Sequence, residues 1–76
     1  MVVDKIKEIF QKDREVKFKM HSLEYIIKEE NNRVLVYPLL YPQRKSVYCN
    51  LENALNYYII YNESIIENQD RITILN

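Results

Sequence analysis

Seventy-six residues with 47% hydrophobic content, eleven basic and eleven acidic side chains and no glycine bound the possibilities tightly. The length allows one domain, residues 1–76, with a thin core; zero formal charge removes the usual electrostatic case for nucleic acid or an anionic membrane. The absence of glycine excludes the Gly-rich loops that cradle phosphate and the glycine-flanked serine of a hydrolase elbow, and leaves positions of positive backbone angle to the eight asparagines and to aspartate.

Along the chain, Val2, Val3, Ile6, Ile9 and Phe10 recur at spacings of three and four. This pattern predicts a helix over residues 3 to 12 with one buried stripe, started by Asp4. Its MVVDKIKEIF opening has no secretory core, and no run is long enough to cross a bilayer, so the expected compartment is the cytoplasm. Val16, Phe18 and Met20 then alternate with Lys17, Lys19 and His21, which predicts an edge or half-buried strand with the basic residues in water. The phase slips at His21–Ser22, the mark of a bulge or a short break.

Leu23 to Tyr37 reads as two antiparallel strands joined by Asn31–Asn32, because asparagine tolerates the left-handed backbone that a tight turn needs. The turn sets Glu30 opposite Arg33, Glu29 opposite Val34, Ile27 opposite Val36 and Ile26 opposite Tyr37. Leu23, Tyr25, Ile27, Val34 and Val36 then share one face, and Ile26, Leu35 and Tyr37 the other. Pro38 and Pro42 end the ladder. Between them Leu39, Leu40 and Tyr41 either tuck under the sheet or form an exposed apolar knuckle beside Arg44 and Lys45.

Lys45 to Cys49 suits a further strand returning along the hairpin. Asn50 is placed to cap a helix from Leu51, with Glu52 in its first turn. Leu51, Ala54, Leu55, Tyr58 and Ile59 form its apolar stripe, extended by Tyr61, Ile65 and Ile66. The local preference of YYIIY is strand; the longer helical period is taken to prevail. Residues 51–66 then form one helix, or two broken at Asn62. Arg71 to Leu75 alternates as a closing strand that must pair with the N-terminal or a central strand.

The expected fold is α+β, a three- to four-stranded mainly antiparallel sheet with the N-terminal and C-terminal helices packed on one face, in the order α-β-β-β-α-β. The second sheet face, with Ile26, Leu35, Tyr37 and Tyr48, is more apolar than a solvent face should be.

Sets of residues that carry chemistry are sparse. His21 and lone Cys49 are the only soft ligands, and Cys49 reads as a small buried hydrophobe. Glu24 and Glu30 share a strand face about 20 Å apart, too far for paired carboxylate catalysis. Glu63, Glu67 and Asp70 match no cation-binding loop. The sequence therefore assigns no catalytic, cofactor-binding or metal residues and points away from an enzyme. The expected function is a protein-interaction or self-associating homodimer module without membrane contact, with Tyr37, Leu39, Leu40, Tyr41, Tyr48, Tyr57 and Tyr61 as contact residues. The alternative is a nucleic-acid accessory protein that touches phosphate through Lys17, Lys19, His21, Arg44 and Lys45 and stacks bases on Tyr41 or Tyr48.

Overall fold

The computed structural model describes residues 1–76. In chain order its elements are α1 (Val2–Asp13), β1 (Glu15–Met20), β2 (Leu23–Glu30), β3 (Arg33–Pro38), β4 (Ser46–Tyr48), α2 (Leu51–Tyr57), β5 (Ile59–Ile60), β6 (Glu63–Ser64) and β7 (Ile72–Ile74), with single 3-10 turns at Pro42–Arg44 and Gln69–Arg71. The β2–β3 hairpin has the register that its turn dictates: Glu30 faces Arg33, Ile27 faces Val36 and Ile26 faces Tyr37. Asn31 and Asn32 both hold positive φ, 54° and 64°, as a two-residue turn matched to strand twist requires.

The main sheet has five strands in the order β4-β3-β2-β1-β7, antiparallel throughout, one more than the largest expected number. β1 is not an edge. It lies between β2 and β7, and Val16, Phe18 and Met20 are almost completely buried. The phase slip at His21–Ser22 is a chain reversal, with Met20 opposite Leu23 and His21 at φ 58°. The closing strand β7 pairs with β1, setting Phe18 opposite Ile74 and Met20 opposite Ile72. Past it Leu75 N–H donates to Lys17 O at 2.9 Å. The Asn76 side-chain amide then substitutes for a peptide group, accepting from Lys17 N–H and donating to Glu15 O.

Both helices pack on one face of the sheet, as expected. Val3, Ile6 and Phe10 of α1 and Ala54 and Leu55 of α2 share a single core with Val16, Phe18, Tyr25, Ile27, Val34, Val36 and Ile72. Each fully buried large side chain contributes roughly 1.5–3 kcal/mol. Met1, not Asp4, is the N-cap of α1; Asp4 stands at the third helical position, 3.5 Å from the terminal ammonium. Without glycine, Arg14 takes the left-handed C-cap at φ 58°. It is held there by Phe10 O, which accepts from its N–H at 2.8 Å, and by Glu29 at 3.3 Å.

The second half departs from the expected helix. Asn50 caps α2 as predicted, its Oδ1 accepting from Asn53 N–H at 2.8 Å. The helix nevertheless stops at Tyr57, and Tyr58 turns extended at φ −73°, ψ 123°. β5 and β6 then form a separate hairpin around Tyr61–Asn62, both at positive φ. The aromatic and β-branched preference of YYIIY prevails over the helical period, so Ile59 is exposed instead of lying on a buried stripe. No second helix follows.

Ser64 and Glu67 bond reciprocally, Ser64 N–H to Glu67 Oε1 at 2.8 Å and Glu67 N–H to Ser64 Oγ at 3.1 Å. They make the contacts of a helix-start box around a turn. Asn68, 1% exposed, fastens the small hairpin by donating from Nδ2 to the carbonyls of Ile60, Glu63 and Ser64 at 3.0–3.2 Å.

The second sheet face differs from expectation too. Tyr48 pairs opposite Val34 and so points to the helix side, while Val47, opposite Leu35, occupies the open face. Ile26 and Leu35 are only 5% and 6% exposed without any helix above them. Lys17 and Tyr37 flank Ile26 across the sheet; Lys28, Tyr37, Pro42 and Lys45 close around Leu35. Long side chains thus cover Ile26 and Leu35 with their stems while keeping their charges in water, and Val47, 51% exposed, is the apolar residue that this face leaves open.

Candidate functional site

Tyrosine converges at one corner of the molecule. Tyr25 lies on the helix side of β2, opposite Pro38, with its ring stacked on Phe18 at 5.3 Å and edge-on to Tyr58 at 6.2 Å. Tyr48 arrives from the edge strand β4, Tyr57 and Tyr58 from the end of α2, and Tyr61 from the turn of the small hairpin. Tyr41 comes from the loop between the two prolines. That loop is fixed by successive turns, Tyr41 N–H donating to Pro38 O and Arg44 N–H to Tyr41 O, both at 2.9 Å. Together with Leu23, Pro38, Arg44, Ser46, Ile59 and Ile60 these residues line an open groove of about 570 Å³.

Six of the chain's seven tyrosines are therefore in one place. Tyr25, Tyr58 and Ile60 are its buried floor, with Leu23 and Tyr48 half-buried. Tyr41, Arg44, Tyr57, Ile59 and Tyr61 are its exposed rim.

The electrostatics of the groove are simple. Arg44 is the only charged residue lining it, and its guanidinium stands 5.0 Å from the centre of the Tyr41 ring, within reach of a cation–π contact. Burial, and then the neighbouring Tyr25 and Tyr48, push the Tyr58 hydroxyl up to about 12. Burial, and then Tyr61, raise that of Tyr25. Tyr25, Tyr48, Tyr58 and Tyr61 all line this groove. The hydroxyls of Tyr25 and Tyr58 have no hydrogen-bond partner within the chain, yet neither is sealed from the groove. They remain protonated at neutral pH and are available to donate.

Of the predicted contact residues, Tyr41, Tyr48, Tyr57 and Tyr61 meet in the groove. Leu39 and Leu40 border a separate small hollow of about 160 Å³ that shares only Leu23 with it, and Leu40 is exposed. Tyr37 lies on the opposite sheet face against Lys28. Tyr25 and Tyr58 were not singled out from sequence, because on their strand and helix patterns both read as core.

The five predicted phosphate contacts are dispersed. Arg44 lines the groove; His21 packs edge-on to Tyr61 at 5.0 Å; Lys17 and Lys19 alternate onto the open sheet face, and Lys45 borders a hollow there with Lys28.

Cys49 is exposed, contrary to the expected buried position. It follows β4 directly and borders a different hollow, with Lys7, Phe10, Arg14, Glu29 and Asn50. Glu63 pairs with Arg71 at 3.4 Å and Glu67 with Ser64; no three His, Cys, Asp or Glu residues gather as a metal-binding group. No helix is long and apolar enough to cross a membrane. The chain matches no family model, no curated protein and no solved structure.

Proposed function

We propose that the protein is a non-catalytic interaction module that holds a segment of another protein in its tyrosine-lined groove. The observation that carries this reading is the convergence of six tyrosines from separate parts of the chain on one concave surface. Tyrosine supplies rigid contact area with a polar tip, and aromatic residues with arginine are the groups that dominate interface energetics. A groove of this volume with a few convergent polar groups also matches the general form of a binding site. The non-catalytic part of the reading is supported by the lining itself: a fixed guanidinium and phenols held protonated offer neither a base nor an activated nucleophile near neutral pH.

Arg44 over Tyr41 favours nucleic acid as a second reading, since base stacking and a phosphate contact need these two groups. One guanidinium gives little counterion release, however, and the lysines that should add to it lie on the other sheet face.

Peptide display on the immobilised protein tests the reading, with a Tyr57→Ser/Tyr61→Ser variant as control. The expected result is enrichment of binders that lose roughly fivefold or more in affinity on the variant, since removing two exposed rim aromatics costs about 1 kcal/mol or more. Absence of enrichment, or binders indifferent to the two substitutions, overturns it. Sedimentation across micromolar concentrations decides whether the occupant is a second copy. A dimer that dissociates in the same variant identifies the groove as a self-association surface.

A further inference from the structure

Resting on the reading of the groove as a peptide site, we propose that its occupant is a proline-rich segment in the polyproline II conformation with a carboxylate placed beside Arg44. The groove floor is unusual in what it offers. Tyr25 and Tyr58 are 5% and 9% exposed and line the groove, and their hydroxyls, which have no partner in the chain, still reach solvent. Two hydroxyls that only water satisfies are free to donate to a ligand, and one that seats over them must supply acceptors or leave them unpaired. Polyproline II supplies acceptors: it makes no internal hydrogen bonds, and its carbonyls project outward.

The same floor is poor in acceptors for amide N–H groups, because no carboxylate lines it. An ordinary peptide has to bury amides there that phenol oxygens and the Ser46 hydroxyl must satisfy, whereas proline has no N–H to satisfy. Flat tyrosine faces also match the pyrrolidine ring, as in other aromatic-lined grooves for such segments.

Charge and dimensions complete the case. Arg44 is the single formal charge and is cationic, so the complementary ligand carries a carboxylate at that end, and a lysine there is repelled. The molecule is at most 29 Å across, which at about 3.1 Å per residue limits a bound polyproline II segment to roughly nine residues. Strand addition is the less suitable mode, since the neighbouring free edge, β4, is three residues long.

The test is a titration of the isotope-labelled full chain, followed through its backbone amide resonances. Four probes are used: an end-blocked peptide of one aspartate followed by prolines, the same peptide with lysine for aspartate, the same with alanine for every proline, and oligothymidylate. The expected result is saturable shifts around Tyr25, Tyr41, Arg44 and Tyr58 with the aspartate–proline peptide, about tenfold weaker binding with lysine, and no saturation with the alanine peptide at about 1 mM. Tyr58→Phe, which removes one hydroxyl and keeps the ring, is expected to weaken binding about tenfold with its melting temperature kept.

No shifts with the aspartate–proline peptide overturn the inference. Equal binding of the alanine peptide in the groove also overturns it and leaves the interaction reading standing. Oligothymidylate as the tightest of the four probes overturns both.

Discussion

Replacing Tyr61 by asparagine and, in parallel, by alanine separates the backbone cost of the groove rim from the contacts of its ring. Tyr61 holds φ 52° at the first position of a two-residue turn whose second residue is Asn62. The left-handed region costs an ordinary residue roughly 1–2 kcal/mol, and asparagine is largely spared because its side chain bonds locally. Tyr61→Asn therefore reproduces the Asn31–Asn32 turn, whereas Tyr61→Ala keeps the strain. Both delete a ring that is 67% exposed and touches His21 edge-on, a contact worth about 0.5 kcal/mol at such an exposed site.

The ring loss cancels between the two variants, leaving about 1 kcal/mol in favour of asparagine, or about 4–8 °C in melting temperature for a domain of this size. Tyr61→Asn should melt near or slightly above the native chain and Tyr61→Ala clearly below it, by circular dichroism. Both should bind groove ligands equally weakly. Variants that melt together, or a Tyr61→Asn protein more than about 1 kcal/mol below the native one, refute the reasoning that strain is stored at the rim for function.

Asn68→Ala removes the donor shared by three carbonyls in the buried turn and is expected to cost about 2–4 kcal/mol in urea unfolding; a loss below about 1 kcal/mol contradicts the assignment of Asn68 as the hairpin's fastener. Tyr58 keeps its proton in the fold up to about 12, whereas the unfolded chain releases it near 10. Its contribution is therefore complete below pH 10 and declines as pH rises towards 12, and stability against pH should lose part of that slope in Tyr58→Phe. Glu67, whose carboxyl the Ser64 backbone and side chain hold below the usual range, contributes stability above its unfolded value that is lost as pH falls. Glu67→Gln should flatten the acid limb of the urea midpoint. Exposed Cys49 should react with a thiol reagent in the native state at the rate of a free thiol, and protection that needs denaturant to lift contradicts the structure.

The register of the β2–β3 hairpin was legible because Asn31–Asn32 admits one register and the faces then follow from alternation; Pro38, expected to end the ladder, instead closes β3 opposite Tyr25. The cap at Asn50 and the buried stripe of α1 were legible for similar reasons: each depends on residues near in sequence. The stretch from Tyr58 to Ser64 was not. Two periodicities overlap there, Leu51, Ala54, Leu55 and Tyr58 fitting a helix while YYIIY fits a strand. The residue that decides between them, Tyr61 at positive φ, carries none of the usual marks of a turn.

The placement of Tyr48 and Val47 depends on how the loop from Leu39 to Lys45 delivers β4, a tertiary matter that local pattern does not encode. At the site, the residue types are visible in the sequence, Tyr41, Tyr48, Tyr57 and Tyr61 among them. Their meeting point was hidden because it needs the α2–β5 break. Tyr25 and Tyr58 read as core from their local patterns, and they do belong to it; they also line the groove, so burial and site coincide in them.

The most direct measurement is the position on this molecule of a binder selected by display, read from tyrosine side-chain resonances with and without it. Perturbation of Tyr25, Tyr41, Tyr48, Tyr57, Tyr58 and Tyr61, with Tyr37 unmoved, is the predicted pattern. A binder that shifts Tyr37 and leaves the other six in place puts the contact on the opposite sheet face and contradicts the account.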